Sequence, residues 1–416
     1  AGGATAATRI RRLDEDCEII MFERGPHVSF SNCALPFHLS GMIKEHGRLI
    51  LMSPDEFHTK YKIDARVNTE VIEINRDEKS VKVRNLTTGE EYNEFYDKLI
   101  LSPGANPIVP PFEGKNLVNI FTIRNVKDIV GLNGFIQENN CKDITVIGGG
   151  FIGVEAAENL RMAGYNVTMI EAMPQIMRIF DYDMVQILHK ELVDKGINLI
   201  VNDKVEKFEK DTVVLGSGKK VHAEAVIMAI GVSPETTLAK KAGLDIGITG
   251  AIAVNQNFRT SDKDIYAVGD AIEVYNKLLY TQSKLSLAGP AQKQARAAAD
   301  HIYGMPVNNT GVIGSSVIKV FDYNGASTGL TEGLIRATNM QINYSTVRII
   351  PNDKVGIMPD SEALHFKLIF EVPTGRVLGA QAIGKGNVDK RIDLIATLIK
   401  FNGTLEDLKD LELCYA

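Results

Sequence analysis

The chain has 416 residues, of which 44% are hydrophobic, and a formal net charge of −6. This length exceeds that of one ordinary domain, so two or three domains are expected, and the acidic balance gives no reason to expect non-specific nucleic-acid binding. No apolar run approaches the roughly 20 residues that cross a bilayer, so no membrane segment is expected.

The number and spacing of the cysteines indicate the kind of cellular compartment in which the protein works. Cys17, Cys33, Cys141 and Cys414 are too few and too scattered for the disulfide framework of a secreted protein, so a reducing cytoplasm is expected. Both chain ends lack ordinary start and stop signals, which suggests that the sequence was cut from a longer one.

The first predicted unit lies at the amino terminus. Gly2 and Gly3 form a glycine turn that leads into a helix over residues 1–13, and a strand over residues 17–22 ends at Glu23, 20 residues after Gly3. Turn, helix, strand and closing acid are the parts of a dinucleotide-binding unit. The strand that should precede Ala1 and the first glycines of the turn are not in the sequence given.

A buried strand comes next along the chain. It covers residues 98–101 and runs into a turn of small residues at 102–105. A strand that ends in such a turn favours the close approach of a ligand to the backbone.

A second unit, with the same layout, occupies the middle of the chain. A β-branched strand over 143–147 runs into a glycine turn at 148–153. A helix over 154–163 and a strand over 166–170 follow, and Glu171 ends the unit 23 residues after the first glycine. This order and spacing predict a dinucleotide site.

Each residue of this second turn has a physical role. Gly148 makes the tight turn, Gly150 lets the backbone approach a pyrophosphate, and Gly153 allows close helix packing. Glu171 is placed to accept hydrogen bonds from an adenosine ribose, and its charge would repel a 2′-phosphate. NADH is therefore favoured over NADPH.

The remaining elements complete a second nucleotide site and a separate module. A strand over 260–268 ends in Gly269 and Asp270 before a helix. One acid after a strand is commonly an ordinary loop residue, but the ordered set of segments indicates a site.

From about Gly311 onward the sequence shows alternating patterns typical of β-strands, as in 316–321 and 366–370, and a helix follows over 389–401. This part reads as an α+β module for packing or dimerisation.

Taken together, these segments resemble the pyridine nucleotide-disulfide oxidoreductase superfamily over nearly the whole chain. The resemblance implies an α/β fold with two Rossmann-like nucleotide-binding domains and a C-terminal α+β dimerisation domain that makes a homodimer. The implied domains are an FAD-binding domain in two parts, 1–110 and 233–310, an NAD(P)H-binding domain, 111–232, and a dimerisation domain, 311–416.

The resemblance also implies cofactor-binding residues. Those implied for FAD are Gly2, Gly3, Glu23, Arg24, Ser102, Pro103, Gly104, Gly269, Asp270 and Ala288. Those implied for NAD(P)H are Gly148, Gly150, Ile152, Gly153, Glu155, Glu171 and Gly231. No metal ligand is expected.

The segment 29–37 decides the branch of the superfamily, because dithiol members carry a second cysteine where this chain has His38. The segment looks like the single-cysteine branch of coenzyme A disulfide reductases, persulfide reductases, NADH oxidases and NADH peroxidases. It is most similar to the coenzyme A disulfide reductases, including those fused to a rhodanese domain, which is expected if the chain is longer.

One cysteine suffices chemically when the substrate supplies the second sulfur or oxygen atom. We expect Cys33 to be the catalytic cysteine and to form a mixed disulfide with coenzyme A. Its pKa should be lowered by nearby donors or a helix N-terminus. The other three cysteines are expected to be structural, although Cys414 is less settled.

Coenzyme A carries several phosphates, so basic residues should lie near Cys33. The resemblance implies Arg12, Ser29, Asn32 and Arg296 as substrate-binding residues, while Arg11 is as readily a solvated residue on a helix face. His38 is more often structural than catalytic.

The chain departs from coenzyme A disulfide reductases in two places. Residues 357–360 read Ile-Met-Pro-Asp where related reductases often have Tyr-Tyr-Pro-Gly. Tyr415 is the candidate for a second active-site tyrosine, but the sequence given ends at Ala416, so that motif is incomplete. Three functions therefore remain open: a reductase of coenzyme A disulfide or persulfide, an NADH oxidase or peroxidase that cycles through a sulfenic acid, and a flavin redox sensor or electron carrier.

Overall fold

The computed structural model describes residues 1–414, so the candidate tyrosine Tyr415 lies outside the described residues. The first segment alternates short strands and helices around α1. Its elements are α1 (Gly2–Leu13), β1 (Ile20–Phe22), β2 (Ser29–Phe30), α2 (Pro36–Leu39), β3 (Ile50–Met52), α3 (Pro54–Tyr61), β4 (Asp64–Arg66), β5 (Thr69–Asn75), β6 (Ser80–Asn85), β7 (Glu91–Phe95), β8 (Leu99–Leu101) and β9 (Ala105–Pro107).

The predicted strand over 17–22 is shorter than expected, because β1 begins only at Ile20. The guanidinium of Arg11 explains the difference. Its Nη2 donates to the carbonyl oxygen of Cys17 at 2.8 Å and its Nε to that of Tyr61 at 2.7 Å. Arg11 is therefore structural, since it holds the end of α1 against two loops.

The second segment builds the complete nucleotide unit. Its elements are β10 (Ile120–Phe121), α4 (Val126–Glu138), β11 (Asp143–Ile147), α5 (Phe151–Met162), β12 (Asn166–Glu171), α6 (Tyr182–Asp194), β13 (Asn198–Val201), β14 (Val205–Glu209), β15 (Thr212–Leu215), β16 (Lys220–His222) and β17 (Ala225–Met228). Five strands form a parallel sheet in the order β10-β17-β11-β12-β13. The last four residues of β11 are buried, as expected for a strand covered on both faces.

The third segment returns to the first. Its elements are β18 (Val232–Pro234), α7 (Thr237–Lys241), β19 (Ile265–Ala267), β20 (Val274–Asn276), β21 (Thr281–Ser283) and α8 (Ala288–Ile302). β18 pairs with β9, and β19 pairs in parallel with β8. α8 packs along α1, where Arg9 and Asp300 form an ion pair at 2.6 Å. The domain boundaries near residues 110, 232 and 310 remain predictions.

The fourth segment is the α+β module. Its elements are β22 (Ser315–Val320), β23 (Tyr323–Gly329), α9 (Glu332–Ala337), β24 (Tyr344–Ile349), β25 (Leu364–Glu371), β26 (Val377–Gly384), α10 (Val388–Lys400) and α11 (Leu405–Asp410). The strands form an antiparallel sheet in the order β22-β23-β26-β25-β24, and α10 packs on β23 and β26. The mixed α/β fold predicted from the sequence is confirmed. No helix within residues 1–414 combines the length and apolar character that a bilayer-spanning helix requires.

A buried ion network joins the nucleotide unit to this module. Lys367 on β25 is only 4% exposed, and its Nζ lies 3.0 Å from Asp181, 3.0 Å from Asp183 and 2.6 Å from Glu332. Asp181 precedes α6 and also accepts a hydrogen bond from Gln381 at 2.7 Å. One ammonium group thus satisfies three carboxylates from two parts of the fold.

Replacing Lys367 with methionine should lower the free energy of unfolding by about 3 to 5 kcal/mol, because it leaves the buried carboxylate of Asp181 without its cation. Guanidinium denaturation followed by circular dichroism measures the change. Lys385→Met is the matched control, since its ion pair with Glu362 is exposed and contributes about 1 kcal/mol or less. An equal loss in the free energy of unfolding in the two variants would show that the network around Lys367 is no more stabilising than an exposed ion pair.

Candidate active site

The glycine turn after β11 has the geometry that each glycine requires. Gly148 has a φ of +105°, and a Cβ there would lie 2.3 Å from the carbonyl oxygen of Ala229. A Cβ on Gly153 would lie 1.9 Å from the carbonyl oxygen of Gly148. A Cβ on Gly150 would meet nothing within 4 Å, so open space lies beside the backbone where a pyrophosphate is expected.

The acid that ends β12 is turned toward this loop. Glu171 accepts hydrogen bonds from the amide of Gly149 at 2.7 Å and from the amide of Met173 at 2.8 Å. The helix begins at Phe151, three residues before the predicted start, because Gly150 is its N-cap. Of the other residues predicted for NAD(P)H, Ile152 is exposed on the first turn of this helix, and Gly231 has a φ of +117°.

Replacing Gly153 with alanine should raise the KM for NADH at least roughly tenfold, because the added methyl group must displace the backbone of the turn. Steady-state kinetics at varied NADH concentration measures the effect. Gly134→Ala in α4 is the control: nothing lies within 4 Å of its Cβ position, and helix propensity makes it neutral or slightly stabilising. An unchanged KM in Gly153→Ala would show that the turn tolerates a side chain.

A second turn forms where the first and third segments meet. The amide of Gly3 donates to Oγ of Ser102 at 3.0 Å, and a Cβ on Gly2 would lie 2.6 Å from the same oxygen. The amide of Gly269 donates to Oε1 of Gln294 on α8 at 2.8 Å. Residues predicted for FAD from three distant parts of the sequence are therefore brought together.

A half-buried acid and a half-buried arginine lie beside this turn. Burial raises the pKa of Asp270, and nearby positive charges, Arg124 among them, offset part of that rise. Arg124 donates to the carbonyl oxygen of Pro103 at 3.2 Å and to the side chain of Asn106. Burial, then repulsion from Arg24, lowers the pKa of Arg124. Sequence reasoning missed Arg124, which carried no motif signal and is placed only by tertiary contacts.

The other residues predicted for FAD lie on nearby elements. Glu23 directly follows β1 and accepts a hydrogen bond from the amide of Gly25 at 2.7 Å. Gly104 has a φ of +74°, a conformation that favours glycine. Ala288 is the first residue of α8, which begins beside the turn at Gly269.

Cys33 lies on an exposed turn between β2 and α2. β2 pairs with β3, and the amide of Ser31 donates to the carbonyl oxygen of Leu49 at 2.9 Å. Residues 32–34 form a 3-10 turn that leads into α2, and Leu35 packs in the same buried cluster as Val154 of α5. The cysteine segment is thereby packed against the helix that begins at the glycine turn of the second unit.

The predicted lowering of the Cys33 pKa is wrong for this arrangement. Partial burial raises the pKa of the Cys33 thiol, and the carboxylate of Glu155 on α5 raises it further. Burial, then repulsion from Glu158, raises the pKa of Glu155 itself to about 7. Glu155, predicted as a cofactor residue, is therefore electrostatically linked to Cys33, and no sequence pattern indicated this.

The remaining cysteines and His38 have ordinary environments. Cys141 is buried in the core, and Sγ of Cys17 accepts from Arg11 at 3.7 Å. Cys414 is exposed, and none of the four cysteines is in a disulfide. Nδ1 of His38 is 2.8 Å from the carbonyl oxygen of Ile43, which favours its structural role.

The residues predicted for substrate binding are placed as follows. Ser29 is the first residue of β2, and Asn32 directly precedes Cys33. Arg12 is exposed near the end of α1, and Arg296 is exposed on α8, where it lines a cavity. Two of the four, Ser29 and Asn32, thus lie close to Cys33 along the chain, and the roles of all four remain predictions.

Comparison with protein families gives two matches that cover most of the chain. Residues 1–295 match the model described as pyridine nucleotide-disulphide oxidoreductase. Residues 315–414 match the model of the dimerisation domain of the same family.

Individual relatives agree with these matches. The chain is 32% identical to a coenzyme A disulfide reductase of Staphylococcus epidermidis, over 100% of this chain and 94% of that protein. It is 45% identical to reduced CoADR-RHD of Bacillus anthracis, with a TM-score of 0.98 over 100% of this chain and 75% of the other. It is 34% identical to an NAD-dependent persulfide reductase of A. fulgidus, with a TM-score of 0.96 over 100% of this chain and 78% of the other.

Proposed function

The chain belongs to the pyridine nucleotide-disulphide oxidoreductase family, and from this premise we propose that it reduces coenzyme A disulfide, or a related persulfide, with electrons from NADH. One observation carries the proposal. Cys33 is an accessible single thiol on a segment packed against the helix of the second nucleotide unit, in a chain 45% identical to CoADR-RHD.

The chemistry at Cys33 balances with the substrate as the second sulfur. The Cys33 thiolate attacks one sulfur of the disulfide, which forms a Cys33–coenzyme A bond and releases one coenzyme A thiolate. Two electrons from NADH then break the mixed disulfide, which restores the Cys33 thiolate and releases the second coenzyme A thiolate. The sum is one NADH, one proton and one disulfide converted to NAD⁺ and two coenzyme A thiols.

The residues around the start of α1 fit FAD, which supplies the two-electron relay in this family. A Cβ on Gly2 would lie 2.6 Å from Oγ of Ser102, so the start of this helix packs closely against the turn at 102–104. Asp270 is a half-buried carboxyl whose raised pKa reflects an unfavourable charge. A ribityl hydroxyl donating to it would lower that cost. Glu23 would accept from the ribose.

Substrate recognition and assembly complete the proposal. Arg12 and Arg296 would hold the phosphates of coenzyme A, and Ser29 and Asn32 would orient its thiol end beside Cys33. The match to a dimerisation domain supports a homodimer. An accompanying rhodanese domain and a cytoplasmic location remain predictions.

Stopped-flow mixing of the reconstituted flavoprotein with NADH tests the proposal. Flavin absorbance should bleach, and a mixed disulfide carried from purification should release about one equivalent of free coenzyme A thiol per subunit. Steady-state turnover should then consume one NADH for every two thiols formed. Bleaching without any thiol release or disulfide turnover would reject the proposal.

A second candidate follows from one feature of the fourth segment. Residues 357–360 lie in the exposed connection between β24 and β25 and contain no tyrosine, so the hydroxyl expected to polarise a leaving sulfur is not present there. This favours an NADH oxidase or peroxidase in which Cys33 cycles through a sulfenic acid. Consumption of oxygen or peroxide at a higher rate than disulfide reduction would support the oxidase or peroxidase function.

Glu171→Gln should raise kcat/KM for NADPH relative to NADH by roughly tenfold, because it removes a charge that repels the 2′-phosphate. Gly149 and Met173 donate to different oxygens of Glu171, and the single side-chain oxygen of glutamine keeps an acceptor for one of these two hydrogen bonds. Asp194→Asn on α6, an exposed acid paired with Lys190, is the control. An unchanged ratio of kcat/KM for NADPH to kcat/KM for NADH would show that residues other than Glu171 determine the cofactor preference.

A further inference from the structure

A large cavity lies beside α8, lined by the third segment, by the connection at 306–314, and by Ser315 and Lys400 of the fourth segment. Its volume is about 880 Å³, within the range of small-molecule sites. Neither Cys33 nor its neighbours Ser29 and Asn32 lines it. The cavity is therefore separate from the cysteine segment itself, although it includes Arg296, which is proposed above to hold a phosphate of coenzyme A.

The lining of this cavity carries four cations from three parts of the chain. They are Lys277 after β20, Lys293 and Arg296 on α8, and Lys400 at the end of α10. None of the four forms an ion pair with any of residues 1–414. Burial, then repulsion from Lys293 and Lys277, lowers the pKa of Lys400. These ammonium groups are therefore close enough to oppose one another.

Neither of the two acids in the lining forms an ion pair with these four cations, which outnumber them. Asp300 pairs with Arg9 at 2.6 Å, and Glu273 accepts from the amide of Thr249 at 2.6 Å. Lys277 instead donates to the carbonyl oxygen of Lys400 at 2.7 Å at the end of α10. The cavity is thus net positive, and its like charges repel one another unless an anion enters.

We propose that this cavity binds a nucleotide-sized polyphosphate. Phosphate oxygens can accept charge-assisted hydrogen bonds from several cations at once, which relieves their mutual repulsion. Tyr275 and Pro290 offer apolar surface beside the cations, and Asn255 and Asn309 offer amide groups. These would contact a base or other organic part of the ligand.

Isothermal titration calorimetry of the FAD-saturated protein with inorganic tripolyphosphate tests this, with excess NAD⁺ present to occupy the second nucleotide unit. Lys293→Gln combined with Lys400→Gln should weaken binding by roughly tenfold or more. Lys240→Gln combined with Lys241→Gln, two exposed lysines on α7, should change it less than about twofold, by the weak effect of distant screened charges. Lys293→Gln alone serves if the double variant does not fold, and Lys293→Arg should retain binding.

Competition experiments distinguish the two molecules that could supply the phosphates, a free nucleotide and coenzyme A. Displacement of tripolyphosphate by ATP but not by coenzyme A indicates a free nucleotide, and displacement by coenzyme A indicates the phosphate end of that molecule. Arg12→Gln should leave tripolyphosphate binding unchanged. No binding to the wild type, equal binding in the cavity and α7 variants, or a loss in Arg12→Gln as large as in the cavity variant would overturn the proposal.

Discussion

Cys33→Ser should lower the turnover of coenzyme A disulfide at least roughly a thousandfold, while flavin reduction by NADH continues. The serine hydroxyl cannot form the mixed disulfide, so the chemical step loses its nucleophile. The electron input from NADH does not need this sulfur. Parallel measurement of flavin bleaching and thiol formation separates the two half-reactions.

Cys17→Ser is the matched control for this experiment. Cys17 is also a free cysteine of the first segment, but it lies against Arg11 and no cofactor role is predicted for it. Its replacement should leave turnover within about twofold, as for a residue outside the site. Full disulfide turnover in Cys33→Ser would reject the assigned role of this sulfur. Loss of flavin bleaching in that variant would show that the serine disturbs cofactor binding.

Glu155→Gln should lower the pKa of the Cys33 thiol and raise its alkylation rate near pH 7.5 by roughly three- to tenfold, from loss of one nearby charge. The sign follows from the order of titration. Glu155 has a pKa of about 7, so it is already ionised where Cys33 loses its proton, and its charge opposes the thiolate. A neutral glutamine removes this opposition.

The pH profile of iodoacetamide alkylation, read by mass spectrometry on the peptide that contains Cys33, measures this effect. Glu158→Gln is the control on the same face of α5. It removes a charge that raises the pKa of Glu155, so Glu155 ionises at lower pH and the Cys33 profile does not move to lower pH. A merely structural role for Glu155 would leave the profile of Glu155→Gln unchanged. This readout does not depend on the identity of the substrate.

Local segments of the fold were predictable because their contacts lie close in the sequence. Gly148, Gly153 and Glu171 act on one loop within 24 residues, and the structure gives each glycine the predicted constraint. The alternating pattern of 366–370 likewise predicts β25 correctly. Where a distant partner intervened, prediction was weaker: the strand over 17–22 was shortened because Arg11 binds the carbonyl of Cys17.

The order of glycine turns, closing acids and one cysteine was enough to predict the family and the mixed α/β fold, because each motif acts through its own backbone. Tertiary packing alone decided which charges meet. Glu155 reaches the neighbourhood of Cys33 across more than a hundred residues, and Lys277, Lys293 and Lys400 converge on one cavity from separate elements. Charge interactions depend on distance and burial, which a linear pattern does not encode.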